Sequence, residues 1–181
     1  MFSVDDWVLL IAKRSGRALD VRAQLLLFVL WKDYRVGRRE LKFEPYRYGP
    51  WSRELQDVLD RLASEEYLSA EVVEVGGGAC ATRPVHPCLE RLLPGARRPD
   101  ALRMYTPTER GLRRMKRREP LMALANFAAY ITVRQWAKAP LRHLIGYVYT
   151  MYPKYTAGAL PLALAVMELE DAAKHEAVGG T

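Results

Sequence analysis

Residues 25–31 read Leu-Leu-Leu-Phe-Val-Leu-Trp, inside a segment of helical character that runs from about Val21 to Tyr34. A helix apolar around most of its circumference cannot lie on a surface. It has to be central, with other elements covering it on every side. Half of the 181 residues are apolar and ten are Tyr, so the chain can supply that cover and is not a disordered one. Its length fits one domain, or one small domain with an appendage.

The elements around this core helix follow from local chemistry. Ser3 is placed to cap a first helix, with Asp5 and Asp6 near its positive end and Trp7, Leu10 and Ile11 on one face. Arg14-Ser15-Gly16-Arg17 ends it, and Asp20 is the expected cap of the core helix. After a basic turn over 35–39, residues 41–46 suit a short strand, with Pro45 at its edge or end. Gly49-Pro50 is turn chemistry, and a third helix should follow, about Ser52 to Glu66. Leu55, Val58, Leu59 and Leu62 are its buried stripe. Residues 67–75 and 102–105 read as strands, separated by a Gly-, Pro- and Arg-rich loop over about 76–100. Thr106 and Glu109 have capping-box spacing for a basic helix that runs to about Arg118, where Glu119-Pro120 punctuates the chain. Helices are expected near 121–138, 141–151 and 160–175, and Leu121 to Val133 is so poor in charge that it should bury all faces.

Three helices followed by a two-stranded hairpin is the plan of a winged helix. The expected fold is mainly α with a small β hairpin: a winged helix-turn-helix over 1–118, with its long wing loop at about 76–100, followed by a C-terminal helical extension over 119–181.

Phe43-Glu44-Pro45-Tyr46-Arg47-Tyr48-Gly49-Pro50-Trp51-Ser52-Arg53-Glu54-Leu55 resembles the Pro-Tyr-x-Tyr-Gly-Pro-aromatic-Ser-x-Glu-Leu motif of the YwgA-type family of prokaryotic winged-helix proteins. Arg22 to Phe28 is similar to the second helix of that family, with Leu25 where a Lys is usual. Tyr105-x-x-Thr108-x-x-Gly111 resembles the strand-to-helix exit of winged helices, and Tyr147 to Thr156 resembles the family's C-terminal Val-Tyr-x-x-Tyr-Pro phrase. The resemblance implies a winged-helix fold and a regulator or antitoxin-like role. The loop from Gly76 to Pro99 is longer than the family pattern.

Charge is distributed unevenly. Residues 1–82 hold 12 Lys/Arg against 13 Asp/Glu, residues 83–118 hold 11 against 3, and residues 119–181 hold 5 against 5. A concentrated basic stretch meets nucleic acid, an acidic protein or a membrane surface, or is only a solvated helix face. For duplex DNA, or another polyanion, the candidate contacts are Ser52, Arg53 and Gln56 at the start of the third helix. Arg83, Arg97 and Arg98 would act from the wing, and Arg110, Arg113, Arg114 and Arg117 from the helix after it. The third helix argues against deep insertion, because Glu54, Asp57, Asp60, Glu65 and Glu66 outnumber Arg53 and Arg61. Tyr46, Tyr48 and Trp51 either stack on bases or pack the turn against the second helix.

Cys80 and Cys88, with His86 between them, supply three candidate ligands where a structural zinc site needs four. The pair is either a disulfide or two free thiols. The three His fall in separate elements, and no phosphate-binding loop, His-Glu-x-x-His or nucleophile elbow is present. No enzyme activity, metal or cofactor is expected. The N-terminus lacks the basic and apolar regions of a signal peptide, and the longest uncharged apolar run falls short of the ~18–20 residues of a membrane span. The expectation is a cytoplasmic protein without membrane contact, paired as a homodimer through its C-terminal helices. Twenty-one Arg against seven Lys, with one Asn and three Gln, fit a thermophile or a GC-rich genome equally. The functional expectation is a DNA-binding transcriptional regulator or antitoxin-like factor. Its alternative is a protein-interaction module that uses the acidic third helix and the aromatic turn.

Overall fold

The computed structural model describes residues 2–46, 49–73 and 102–156. They form a mainly helical fold with two small antiparallel sheets. Helix α1 spans Val4–Ser15 and β1 Ala18–Leu19. Helix α2 spans Asp20–Tyr34, β2 Glu44–Tyr46, β3 Gly49–Trp51 and α3 Arg53–Ser64. Strands β4 (Leu68–Val73) and β5 (Leu102–Pro107) lead to α4 (Glu109–Ala125), α5 (Phe127–Trp136), α6 (Leu141–Met151) and a 3-10 turn over Pro153–Tyr155. One sheet has the order β1-β5-β4, antiparallel throughout, with Ala18 opposite Tyr105 and Ala70 opposite the same residue on the other side. The other is the β2–β3 hairpin. No described helix is long and apolar enough to cross a membrane.

Helix α2 is the centre: every residue from Asp20 to Leu30 is buried. It is packed against α1, β3, β5, α5 and α6, and shares one buried cluster with the Leu55–Leu59–Leu62 stripe of α3 and with Met115 and Met122 of α4. Among the described residues, the cores of the first and last helices are one cluster. Arg22 explains how a cation survives inside it. At 2 % exposure, its Nη1 donates to the carbonyls of Trp136, Ala137 and Ala139 at 3.0, 3.2 and 2.8 Å. These are carbonyls at and beyond the C-terminal end of α5, where a helix lacks internal donors and its dipole favours a cation.

The first cap is as expected, with Ser3 and Asp6 forming a reciprocal capping box. Several other boundaries differ. Asp20 is the first residue of α2 and not its cap; its carboxylate accepts from the Val21 and Arg103 N–H groups at 2.6 and 3.3 Å. Of the expected strand over 41–46 only Glu44–Tyr46 forms, and its partner is the Gly49-Pro50-Trp51 segment expected as a turn. Gly49 takes φ +123°, and a Cβ there would meet the Leu25 side chain at 3.3 Å, so β3 lies close against α2. Tyr46 and Trp51 pair with each other, centroids 5.7 Å apart. The cap of α4 is Thr108 and not Thr106, which is occupied in the β4–β5 ladder opposite Ser69. Thr108 Oγ1 accepts from the Gly111 N–H and donates to the Glu66 carbonyl.

Helix α4 does not stop at Arg118. It runs through Pro120 to Ala125. Proline removes one helical N–H and normally kinks or breaks the helix. Here the residue before it is clamped. The buried Glu119 carboxylate takes Lys13 Nζ at 2.7 Å, the Arg14 guanidinium and the Tyr130 hydroxyl at 3.1 Å. Burial pushes its pKa up, but Lys13 and Arg14 outweigh that and hold it below the ordinary value. The expected helix over 121–138 is divided at Asn126 (φ −138°) into the end of α4 and α5. Nor are all its faces buried: Leu121, Leu124 and Phe127 are 54, 85 and 67 % exposed.

Candidate nucleic-acid interface

Helix α4 turns Gly111, Met115, Glu119 and Met122 inward. A spacing of four, four and three residues marks one face. Gly111 has no room for a side chain: a Cβ there would come within 2.3 Å of the Tyr67 carbonyl oxygen. This close approach seats the start of α4 on the α3–β4 connection and turns the opposite face to solvent. Arg110, Arg113 and Arg117 are exposed along that outer face, with Lys116 and Arg118 on its flanks. With Tyr67 and Arg114 they line one open concavity.

The arginines of this helix are not equivalent. Arg114 donates from Nε and Nη2 to Asp6 Oδ1 at 3.2 and 2.9 Å, and Asp6 is 2 % exposed. Its guanidinium also lies 5.3 Å from the Tyr67 ring centre. It is a strut between α1 and α4, held by charge and by the ring face. Arg110 donates to the Glu65 carbonyl at 3.0 Å and covers Tyr67 at 4.5 Å, which positions it while leaving it at the surface. Arg113 meets Glu109 one turn back at 3.1 Å, with both side chains more than two-thirds exposed. Such a pair is weak and easily exchanged for a phosphate. Among the described residues no carboxylate pairs with Lys116, Arg117 or Arg118.

The start of α3 is built differently. Ser52 is fully buried. Its hydroxyl accepts from the Leu55 N–H at 3.3 Å and donates to Glu54 at 2.8 Å. Its backbone N–H and carbonyl are both clasped by the Gln24 amide, at 2.9 and 3.0 Å. No surface of Ser52 is left for a ligand. The Gln56 amide donates to Asp60 and to the Tyr105 hydroxyl, each at 3.1 Å, so it is held by the fold and not offered outward. Arg53 alone of the three expected contacts is exposed. The rest of the outward surface of α3 and its exit carries Asp57, Asp60, Glu65 and Glu66. Arg61 is paired with Asp5 at 2.6 Å, and Arg103 from β5 with Asp60 at 2.5 Å.

Arg83, Arg97, Arg98, Cys80, Cys88 and His86 lie outside the described residues, as does Tyr48. Among the described residues no group of three or more His, Cys, Asp or Glu could hold a metal ion. Two features were missed in the sequence: the Arg114–Asp6 strut and the internal use of Ser52 and Gln56. For Ser52 there was a signal. Serine directly before a helix is first a cap, and a cap hydroxyl is occupied by the helix it starts. No family model and no curated protein matches the chain.

Proposed function

We propose that the chain is a winged-helix protein that binds duplex nucleic acid chiefly through α4, the helix that follows its β4–β5 hairpin. The fold part of this reading is supported by the order α1, β1, α2, α3, β4, β5 and by a sheet in which the short β1 flanks β5 opposite β4. The residues between β4 and β5 would be the wing. The observation that carries the functional part is the outer face of α4, where Arg110, Arg113 and Arg117 stand in line with no buried carboxylate to neutralise them. Such a face neutralises phosphates and releases counterions, a contact that supplies affinity without reading bases. Helix α3 fits the major groove poorly in this reading, because its outward acids would face phosphates. A regulator or antitoxin-like protein of this kind would select sites through Arg53, through the wing, or through DNA shape. A homodimer through the C-terminal helices belongs to the same proposal, and would double the arginine stripe.

The test is fluorescence anisotropy with random-sequence duplex DNA at several salt concentrations. Wild type should bind with a steep log–log salt slope. Arg113→Ala and Arg117→Ala should each reduce that slope by about one. The Arg113→Glu/Arg117→Glu pair should weaken binding on the order of a hundredfold on all sequences alike. Arg114 is left out of this set because its loss strands Asp6. Absence of binding at low salt would overturn the proposal in favour of a protein-interaction module, for which the acidic α3 face is the candidate surface.

A further inference from the structure

The arginine line of α4 does not end at Arg117. Continued along the same outer face it reaches Leu121 and Leu124, and Phe127 follows directly across the Asn126 elbow. These three side chains are 54, 85 and 67 % exposed, and Ala125 and Ala128 beside them are exposed too. Binding to phosphates accounts for the arginines and leaves this apolar end without a role. Large apolar side chains exposed together mark a surface that something covers.

Charge selects the occupant. The cations nearest along the chain are Lys116, Arg117, Arg118 and Arg134, all exposed, and the single carboxylate within the same span, Glu119, is buried. A two-fold contact centred on the elbow would bring these cations against their own copies. A polyanion with an apolar interior complements both parts of the face together. Duplex DNA has that composition: phosphates outside and stacked bases within.

We infer that Leu124 and Phe127 form a wedge that enters the base stack of a duplex whose phosphates are held by Arg110, Arg113 and Arg117. The inference rests on the nucleic-acid reading above. Apolar wedges of this kind, flanked by cations, unstack a base step and kink the duplex. The spacing is compatible. Leu124 lies seven residues beyond Arg117, about 10 Å along the helix axis, which is about three steps of one DNA strand. Flexible pyrimidine–purine steps, TA above all, would be preferred, because they unstack most readily. The protein would then recognise deformability and act on DNA shape.

The experiment uses the full chain and a duplex with dyes at both ends and a fluorescent adenine analogue beside a central TA step. Wild type should bind, raise the emission of the analogue and raise end-to-end energy transfer. The Leu124→Ser/Phe127→Ser variant, both of whose sites are at the surface, should keep the wild-type melting curve and salt slope. It should bind roughly tenfold more weakly and lose both optical signals. Binding by wild type with neither unstacking nor bending overturns the wedge and leaves the nucleic-acid reading standing, as does a double variant that retains both signals. Failure of wild type to bind any duplex at low salt overturns both. Capture by phosphatidylglycerol vesicles that depends on Leu124 and Phe127, with flat signals on DNA, would reassign the face to an anionic lipid surface.

Discussion

Helices α3 and α4 are built alike on the inside and oppositely on the outside. Each buries a stripe at helical spacing, Leu55–Leu59–Leu62 in one and Gly111–Met115–Met122 in the other. Each begins on a hydroxyl cap, Ser52 and Thr108. Outward, α3 presents Asp57 and Asp60, with Arg61 paired to Asp5 and Arg53 exposed at its start, while α4 presents arginines with a single exposed carboxylate, Glu109, in their row. The inner faces determine where the helices sit. The outer faces determine what each can meet. On the proposed reading, the sign of the solvent-facing charge, and not position in the fold plan, selects the helix that meets nucleic acid.

The largest effect tests the likeness of the inner faces. Leu59→Ala and Met115→Ala, at 1 and 0 % exposure, should each cost about 2–5 kcal/mol in denaturant unfolding. A much smaller loss at Met115 would mean that α4 is only loosely seated, and the comparison would fail.

Next in size is a contrast within α4. Arg114→Ala should cost about 1–3 kcal/mol, because it strands the buried Asp6 carboxylate while the arginine itself is partly solvated. Arg117→Ala should change stability by no more than about 0.5 kcal/mol and act on DNA affinity alone. Equal destabilisation by the two would erase the division between strut and ligand contact.

The smallest effect separates the surroundings of the two helices by pH. Burial raises the pKa of Asp20 to about 6, against the Arg103 and Val21 N–H groups that lower it. A carboxylate whose pKa is higher folded than unfolded costs stability at neutral pH. That cost is relieved as pH falls through 6 towards the ordinary value of 3.8, so stability should rise by about 1.4 kcal/mol in all between pH 7 and pH 5, most steeply near the lower end. Thermal melts between pH 7 and 5 should show this rise in wild type and lose it in Asp20→Asn. Arginine keeps its charge throughout this range, so DNA affinity through α4 should stay level. An affinity that follows the Asp20 titration would couple the two regions and blur the comparison.

What was legible in the sequence was whatever depends on period and on local caps. The apolar run over 25–31 placed α2 at the centre, the leucine stripe placed α3, and Ser3 marked the start of α1. The misses depend on partners remote in the chain. The β2–β3 pair sets Pro45 opposite Pro50, and with no N–H at either position it carries little strand signal. Helix α4 continues through Pro120, beside a Glu119 held by Lys13 and Arg14 from more than a hundred residues earlier. Arg114 is bound to Asp6 at a separation of 108 residues. The charge segregation over 83–118 pointed to α4, but only its partners in space separate Arg114 from Arg117.

Arg22 has a consequence for how the chain is made. Its three carbonyl acceptors lie 114 to 117 residues downstream. At about 5–20 residues per second, synthesis reaches Ala139 roughly 6–23 s after Arg22. Through that interval α2 lacks these three acceptors for Arg22 and lacks α5 and α6 as cover. The nascent chain thus waits, with α2 incompletely sheltered, until its later third arrives. Chaperone occupancy of the growing chain should fall as the segment through Ala139 emerges, and not as β5 and the start of α4 emerge.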